Sequence, residues 1–176
     1  MSFADKLRDA GVVGAGGAGF PTHVKAASRV DTLIANGAEC EPVLVTDQWV
    51  MASHAREIVT ALREEAQAVG ASRTIVAIKR KYHELADLFA PMLDASMELF
   101  LLDDFYPSGD EHVLVHEVTG RVVPEGGIPL EAGTLVQNVS TLLNCYHALN
   151  DQPVINKHIT VAGSVERPGV YIAPLG

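Results

Sequence analysis

The residues best suited to chemistry stand in four short loops. The first runs from Gly14 to Thr22 (GAGGAGFPT) and contains the GxGxxG spacing at Gly14, Gly16 and Gly19, with Gly17 between them. As a dinucleotide fingerprint this fails, because a full strand must precede it and only Val12 and Val13 separate it from a helix. Its physical content survives. Glycines tolerate positive φ and let backbone approach a flat ring or a phosphate closely. A helix starting at Pro21 and Thr22 would aim N–H groups outward, and Lys25 adds a cation one turn in. A tight structural turn is the competing reading.

The second loop, Asn36 to Pro42 (NGAECEP), sets Glu39 and Glu41 two residues apart after a strand. Such carboxylates can accept from ribose or ring N–H groups, or belong to a solvated turn. The third, Tyr106 to Glu111 (YPSGDE), opens a helix, where acidic residues commonly serve as caps. The fourth, Gln137 to Thr141 (QNVST), could hold a phosphate or ring carbonyl, or cap a helix. Taken singly, the third and fourth favour capping. His112 and His116 lie at i, i+4, but HVLVH lacks the glutamate of a zinc-protease helix and has no third ligand. No GxSxG nucleophile motif is present.

The elements that must position these loops follow from periodicity and punctuation. Ser2 and Asp5 have capping-box spacing for a helix through Ala10, and Gly11 supplies its stop. Pro21 suits the first position of a helix through Ala27. Strands are expected at 31–35, 74–78, 98–102 and 135–136. Helices are expected at 46–69 (broken near Ser53), at 81–93 (weakened by Pro91), at 108–119 with Ser108 and Glu111 as a capping box, and at 140–149. Strands alternating with helices give an α/β layered fold with a largely parallel sheet. Residues 1–154 form that domain. From about 155 the pattern becomes that of a hairpin, the start of a small β-rich module that stops at Gly176 in mid-pattern, which implies truncation.

Composition narrows the function. With 48% hydrophobic and 20% charged residues among 176, the chain can bury an ordinary globular core. A net charge of −9 argues against a nucleic-acid groove, whereas one mononucleotide phosphate needs only a few N–H groups and a cation. Cys40 and Cys145 are far apart and no CxxC occurs, so this stretch cannot hold an iron–sulfur cluster alone. Two isolated thiols and an N-terminus without an apolar targeting region read as a cytoplasmic protein, and no apolar run is long enough to insert in a membrane.

Together and in this order, GAGGAGFPTHVK, NGAECEP, YPSGDE and QNVST resemble the flavin subunit family of respiratory complex I. That family includes the RnfC-like flavoproteins of Rnf electron-transport complexes and the cobalamin reductases of propanediol-utilisation microcompartments. The first and third motifs look closest to those two branches. The match covers nearly the whole chain.

The resemblance implies flavin mononucleotide (FMN) in a pocket formed by the glycine loop, Lys25, Asn36, Glu39, Gly109, Glu111 and Asn138, with Tyr106 and Thr141 nearby. It implies that Phe20 stacks on a nicotinamide dinucleotide and that Glu39 and Glu41 contact flavin or dinucleotide. NADH would be the donor, with Glu111 and Glu39 orienting ring and nicotinamide. It further implies a ubiquitin-like β-grasp (SLBB-like) module after the flavin domain, and 4Fe–4S clusters supplied by a partner or a C-terminal region. A cobalamin or ferredoxin system would then be the acceptor, in a microcompartment or on the inner membrane through partners. Two positions depart from complex I: Ala15 replaces an arginine, and residues 121–128 replace an aromatic-bearing stretch expected against adenine. A flavin-free docking module is the alternative reading from another class.

Overall fold

A computed structural model describes residues 1–175. Helix α1 (Phe3–Asp9) opens at Ser2, whose hydroxyl accepts from the Asp5 N–H while the Asp5 carboxylate accepts from the Ser2 N–H. This is the reciprocal cap expected from the sequence. The glycine loop then leads to α2, which spans only Thr22–Ala26. Pro21 caps this helix rather than opening it. An antiparallel bridge to Val13 holds Pro21 in an extended conformation, with ψ at 110°.

Four parallel strands form the sheet: β1 (Thr32–Gly37), β2 (Arg73–Lys79), β3 (Met97–Leu102) and β4 (Thr134–Asn138), in the order β3-β2-β1-β4. Side chains alternate between two covered faces. Leu33 and Ala35 of β1 join a core with α1, α2, α6 (Val139–Leu149), the long helix α3 (Thr46–Val69) and α4 (His83–Phe89). Ile34, Ile75, Ala77 and Val136 face the other way, onto Leu114, Val115 and Val118 of α5 (Glu111–Thr119). Burial on both faces explains why these strands read as continuous apolar runs.

Several boundaries move from those expected. α3 is kinked at His54, with φ −133° and ψ 30°, one residue from the expected break. The helix expected at 81–93 is α4 followed by a 3₁₀ turn, Ala90–Met92, because Pro91 has no N–H for a further α-turn. α5 starts at Glu111, not Ser108. The Asp110 carboxylate accepts from the His112 and Val113 N–H groups, and Ser108 is buried beside Cys40 instead. β4 is five residues long rather than two. Strands β5 (Asn156–Val161) and β6 (Gly169–Pro174) pair as an antiparallel hairpin.

After β3 the chain returns to place β4 on the far side of β1. The carboxyl ends of β1 and β4 therefore lie side by side, at the end of the sheet where open α/β folds bind ligands. No helix among the described residues is long and apolar enough to cross a membrane.

Candidate functional site

A cavity of about 790 Å³ lies at these carboxyl ends. Its walls are the glycine loop, the segments that follow β1, β3 and β4, and one side of β5. Every residue expected from the sequence to hold a cofactor lines it, from Gly14 through Thr141. The volume falls in the ordinary range for cofactor pockets.

The glycine loop is a closed ring. Gly14 N–H donates to the Phe20 carbonyl (2.9 Å), and Thr22 N–H to the Val12 carbonyl (3.2 Å). Thr141 Oγ1 ties the ring to α6 by accepting from Ala15 N–H at 2.8 Å. Two glycines are favoured for different reasons. A Cβ on Gly16 would stand 3.3 Å from the Asn138 Cβ, so a side chain there would oblige Asn138, at the start of α6, to give by a few tenths of an ångström. Gly17 has φ 126°, and a Cβ there would meet no protein atom within 4 Å. Gly17 lines the cavity rather than packing against a neighbour.

Lys25 reaches the cavity from α2. Its ammonium donates to Glu111 Oε1 (3.1 Å) and to the Val136 carbonyl (2.9 Å), and lies 5.7 Å from the centre of the Phe20 ring. The Lys25 side chain is 15% exposed and that of Glu111 44%, so the pair spans from the wall to the opening. Glu41 and Tyr106 meet at the exposed rim, 3.5 Å apart.

Two asparagines serve as braces. Asn36 donates to the Gly109 carbonyl (2.9 Å) and accepts from Ala38 N–H (3.1 Å), locking the second loop to the third. Cys40 Sγ reinforces this by accepting from Gly109 N–H at 2.8 Å. Asn138 caps α6, accepting from the Ser140 and Thr141 N–H groups, and donates to Asp47 at 2.7 Å. Capping, the competing reading of the fourth loop, is thus present, but on a residue that also lines the cavity.

Glu39 has a positive φ of 41° and places its carboxylate over the start of α3, accepting from the Asp47 and Gln48 N–H groups. Burial, then the nearby Asp47 carboxylate, pushes the Glu39 pKa up to about 7, against the two N–H groups that favour its charge. Burial also raises Asp47, although Ser140 and Asn138 donate to it.

Sequence reasoning missed Asp47 and the β5 residues Lys157 to Thr160, and did not single out Ser140 within the fourth loop; all of them line the cavity. Asp47 in the first turn of a helix reads as a dipole partner, which hides its second role. The β5 contribution has no local signal. Thr160 Oγ1 accepts from Val45 N–H (3.1 Å) and meets Thr46 Oγ1 (2.7 Å), docking the hairpin on the start of α3. His158 stacks near Trp49 with ring centres 5.2 Å apart. His112 and His116 lie on exposed α5 surface beside Asp110 and Glu117, outside the cavity lining.

Comparison with known proteins gives a consistent picture. Residues 7–147 match the family model described as the Nuo51 FMN-binding domain. The cobalamin reductase PduS of Citrobacter freundii is 43% identical over 177 residues, covering 100% of this chain and 39% of that protein. The C component of the Na(+)-translocating ferredoxin:NAD(+) oxidoreductase complex of Acetobacterium woodii is 35% identical, covering 88% and 37%. The structure of a NAD+-reducing nickel–iron hydrogenase in the air-oxidized state superposes with a TM-score of 0.84 at 26% identity, over 98% of this chain and 36% of that one. The chain therefore spans under two-fifths of the length of these relatives.

Proposed function

The chain belongs to the Nuo51 FMN-binding domain family, and from that premise we propose that its cavity binds flavin mononucleotide, accepts hydride from NADH and passes electrons to iron–sulfur centres. The observation that carries the reading is the closed glycine ring held against Asn138 beside the Lys25–Glu111 pair. The residues present fit the group. Gly16 leaves no side chain where backbone must lie close, Gly17 is open on its cavity side, and Lys25 supplies the cation a phosphate or ring carbonyl requires.

Bound flavin supplies hydride acceptance and single-electron release, which no side chain here can perform. The protein's part is to bind and orient. Lys25 and the glycine-loop amides hold the ligand, while Asn36, Gly109 and Asn138 fix the loops around it. Glu111 and Glu39 orient ring and nicotinamide, Phe20 offers an aromatic face to the dinucleotide, and Glu41 and Tyr106 guard the rim. The neutralising contact between Lys25 and Glu111 keeps both side chains extended into the cavity.

The relatives that match are a cobalamin reductase and a component of a ferredoxin:NAD(+) oxidoreductase. We accordingly assign the acceptor to a cobalamin or ferredoxin system, reached through 4Fe–4S clusters outside residues 1–176. The β5–β6 hairpin is the start of a β-grasp module, with the flavin domain ending near residue 154. The assembly would be cytoplasmic, in a microcompartment or held at the inner membrane by partners. Flavin fluorescence quenching tests the core of this reading: FMN should bind more tightly than the adenine dinucleotide form, since a single glycine loop, with Lys25 beside it, serves one phosphate. Equal or tighter binding of the dinucleotide form would reject it.

A further inference from the structure

Beneath the cavity floor lies a carboxyl group that binding chemistry alone does not require. Glu65, on α3, is 0% exposed, within the apolar layer between α3 and α6. Its Oε1 accepts from Gln137 Nε2 at 3.0 Å, and its Oε2 has no partner among the described residues. A buried acid left half satisfied costs stability, and a leucine would pack the same layer at no such cost. The group that does bond to Glu65 is itself a cavity residue: Gln137 lines the floor at the end of β4.

The charged and titratable groups that face Glu65 are Lys25 from α2 and the fully buried Cys145 from α6. Lys25 also donates to the carbonyl of Val136, the residue before Gln137. A short polar path thus joins the buried acid to the wall where the ligand cation stands. Thr22, one turn before Lys25 on α2, carries the other buried side-chain oxygen without a partner among the described residues.

We propose that Glu65 is a positioning residue of the flavin site, which holds the Gln137 carboxamide in one orientation and, through its proton, sets the charge against which an anionic ligand binds. This rests on the flavin reading given above. With Glu65 neutral, Lys25 faces one carboxylate, its partner Glu111, at the wall. An ionised Glu65 competes for Lys25 and repels the flavin phosphate. Burial raises the Glu65 pKa to about 8, with Lys25 and Gln137 opposing, so the change of state falls within an accessible range of pH. Ligand binding and proton retention at Glu65 are then linked, each favouring the other.

The test is the FMN dissociation constant from pH 7 to 9 for the wild-type chain, Glu65→Gln and Glu65→Leu, with thermal melts at each pH. Wild-type affinity should fall roughly threefold or more across that range, and linkage to one proton limits the fall to about tenfold per pH unit. Glu65→Gln keeps an acceptor for Gln137 and should show a flattened profile, binding better than wild type at pH 9. Glu65→Leu should bind more weakly at pH 7, with an equally flat profile. Glu39 and Asp47 are unchanged in all three proteins, so the difference between curves isolates Glu65. A wild-type profile in Glu65→Gln overturns the proposal while leaving the flavin reading intact. Absence of FMN binding by the wild-type chain at any pH would sink the flavin reading and the proposal with it.

Discussion

The ammonium of Lys25 lies 3.1 Å from Glu111 Oε1, although the two residues are 86 positions apart and belong to helices on opposite faces of the sheet. The contact is made past the end of β4, where Lys25 also holds the Val136 carbonyl. It brings together a cation from the first loop and a carboxylate from the third. The two glutamates proposed to orient the ligands differ in setting: Glu39 is tied to backbone at the start of α3, and Glu111 to the end of a lysine side chain.

Removing that cation should weaken the site. A hydrogen bond to a charged group contributes about 1.5–3 kcal/mol, so Lys25→Ala should lower FMN affinity by roughly ten- to a hundredfold. Fluorescence quenching with parallel melts would measure it. Unchanged affinity in a folded variant would show that Lys25 serves only Glu111 and the Val136 carbonyl.

Gly17→Val tests the loop. With φ at 126° and no protein atom near the added Cβ, the side chain is excluded by backbone strain, about 1–3 kcal/mol, and by the ligand space it enters. Binding should fall further than in Lys25→Ala, while the sheet core, which the loop does not join, should still fold cooperatively. Wild-type FMN affinity in a folded Gly17→Val protein would make the loop a structural turn.

Glu111→Gln separates binding from turnover. The amide retains an oxygen for Lys25, so flavin affinity should stay within about threefold, consistent with loss of a partly exposed charge. Reduction by NADH should slow by on the order of ten- to a hundredfold, the scale set by misplacing a reacting group. Anaerobic stopped-flow reads the rate. An undiminished rate would remove Glu111 from the orienting role.

Glu39 predicts a pH dependence of stability without any ligand. Its folded pKa, about 7, lies above its value in an unfolded chain, so between roughly pH 4.5 and 7 the folded state holds more proton. The Glu39 contribution is therefore fully present below pH 4.5 and is lost as pH rises through 7. Relative to wild type, Glu39→Gln should gain in melting temperature as pH goes from 5 to 8. A difference that is constant over this range would show that Glu39 does not titrate there.

Much of the site is legible in the sequence because it is written in loops. Gly14 to Gly19, Glu39, Gly109 and Asn138 stand at strand and helix ends, where local rules of φ, capping and spacing carry information. The covered strands are equally legible, since burial on two faces leaves an unbroken apolar run such as 74–78. Even the kink at His54 falls one residue from the expected break.

What only the tertiary structure decided is where those loops meet and what lies behind them. Ser108 lost the α5 cap to Asp110 because folding buries its hydroxyl against Cys40, a contact 68 residues away in sequence. Asp47 became a brace for Asn138 and Ser140 because α3 and α6 pack side by side, which no helical period reveals. Glu65 looks like one charge among several on a helix; the α3–α6 packing makes it a buried acid under Gln137. Local sequence specifies backbone preference over a few residues, whereas burial, and with it the ionisation of a carboxyl group, depends on which distant segments exclude water from it.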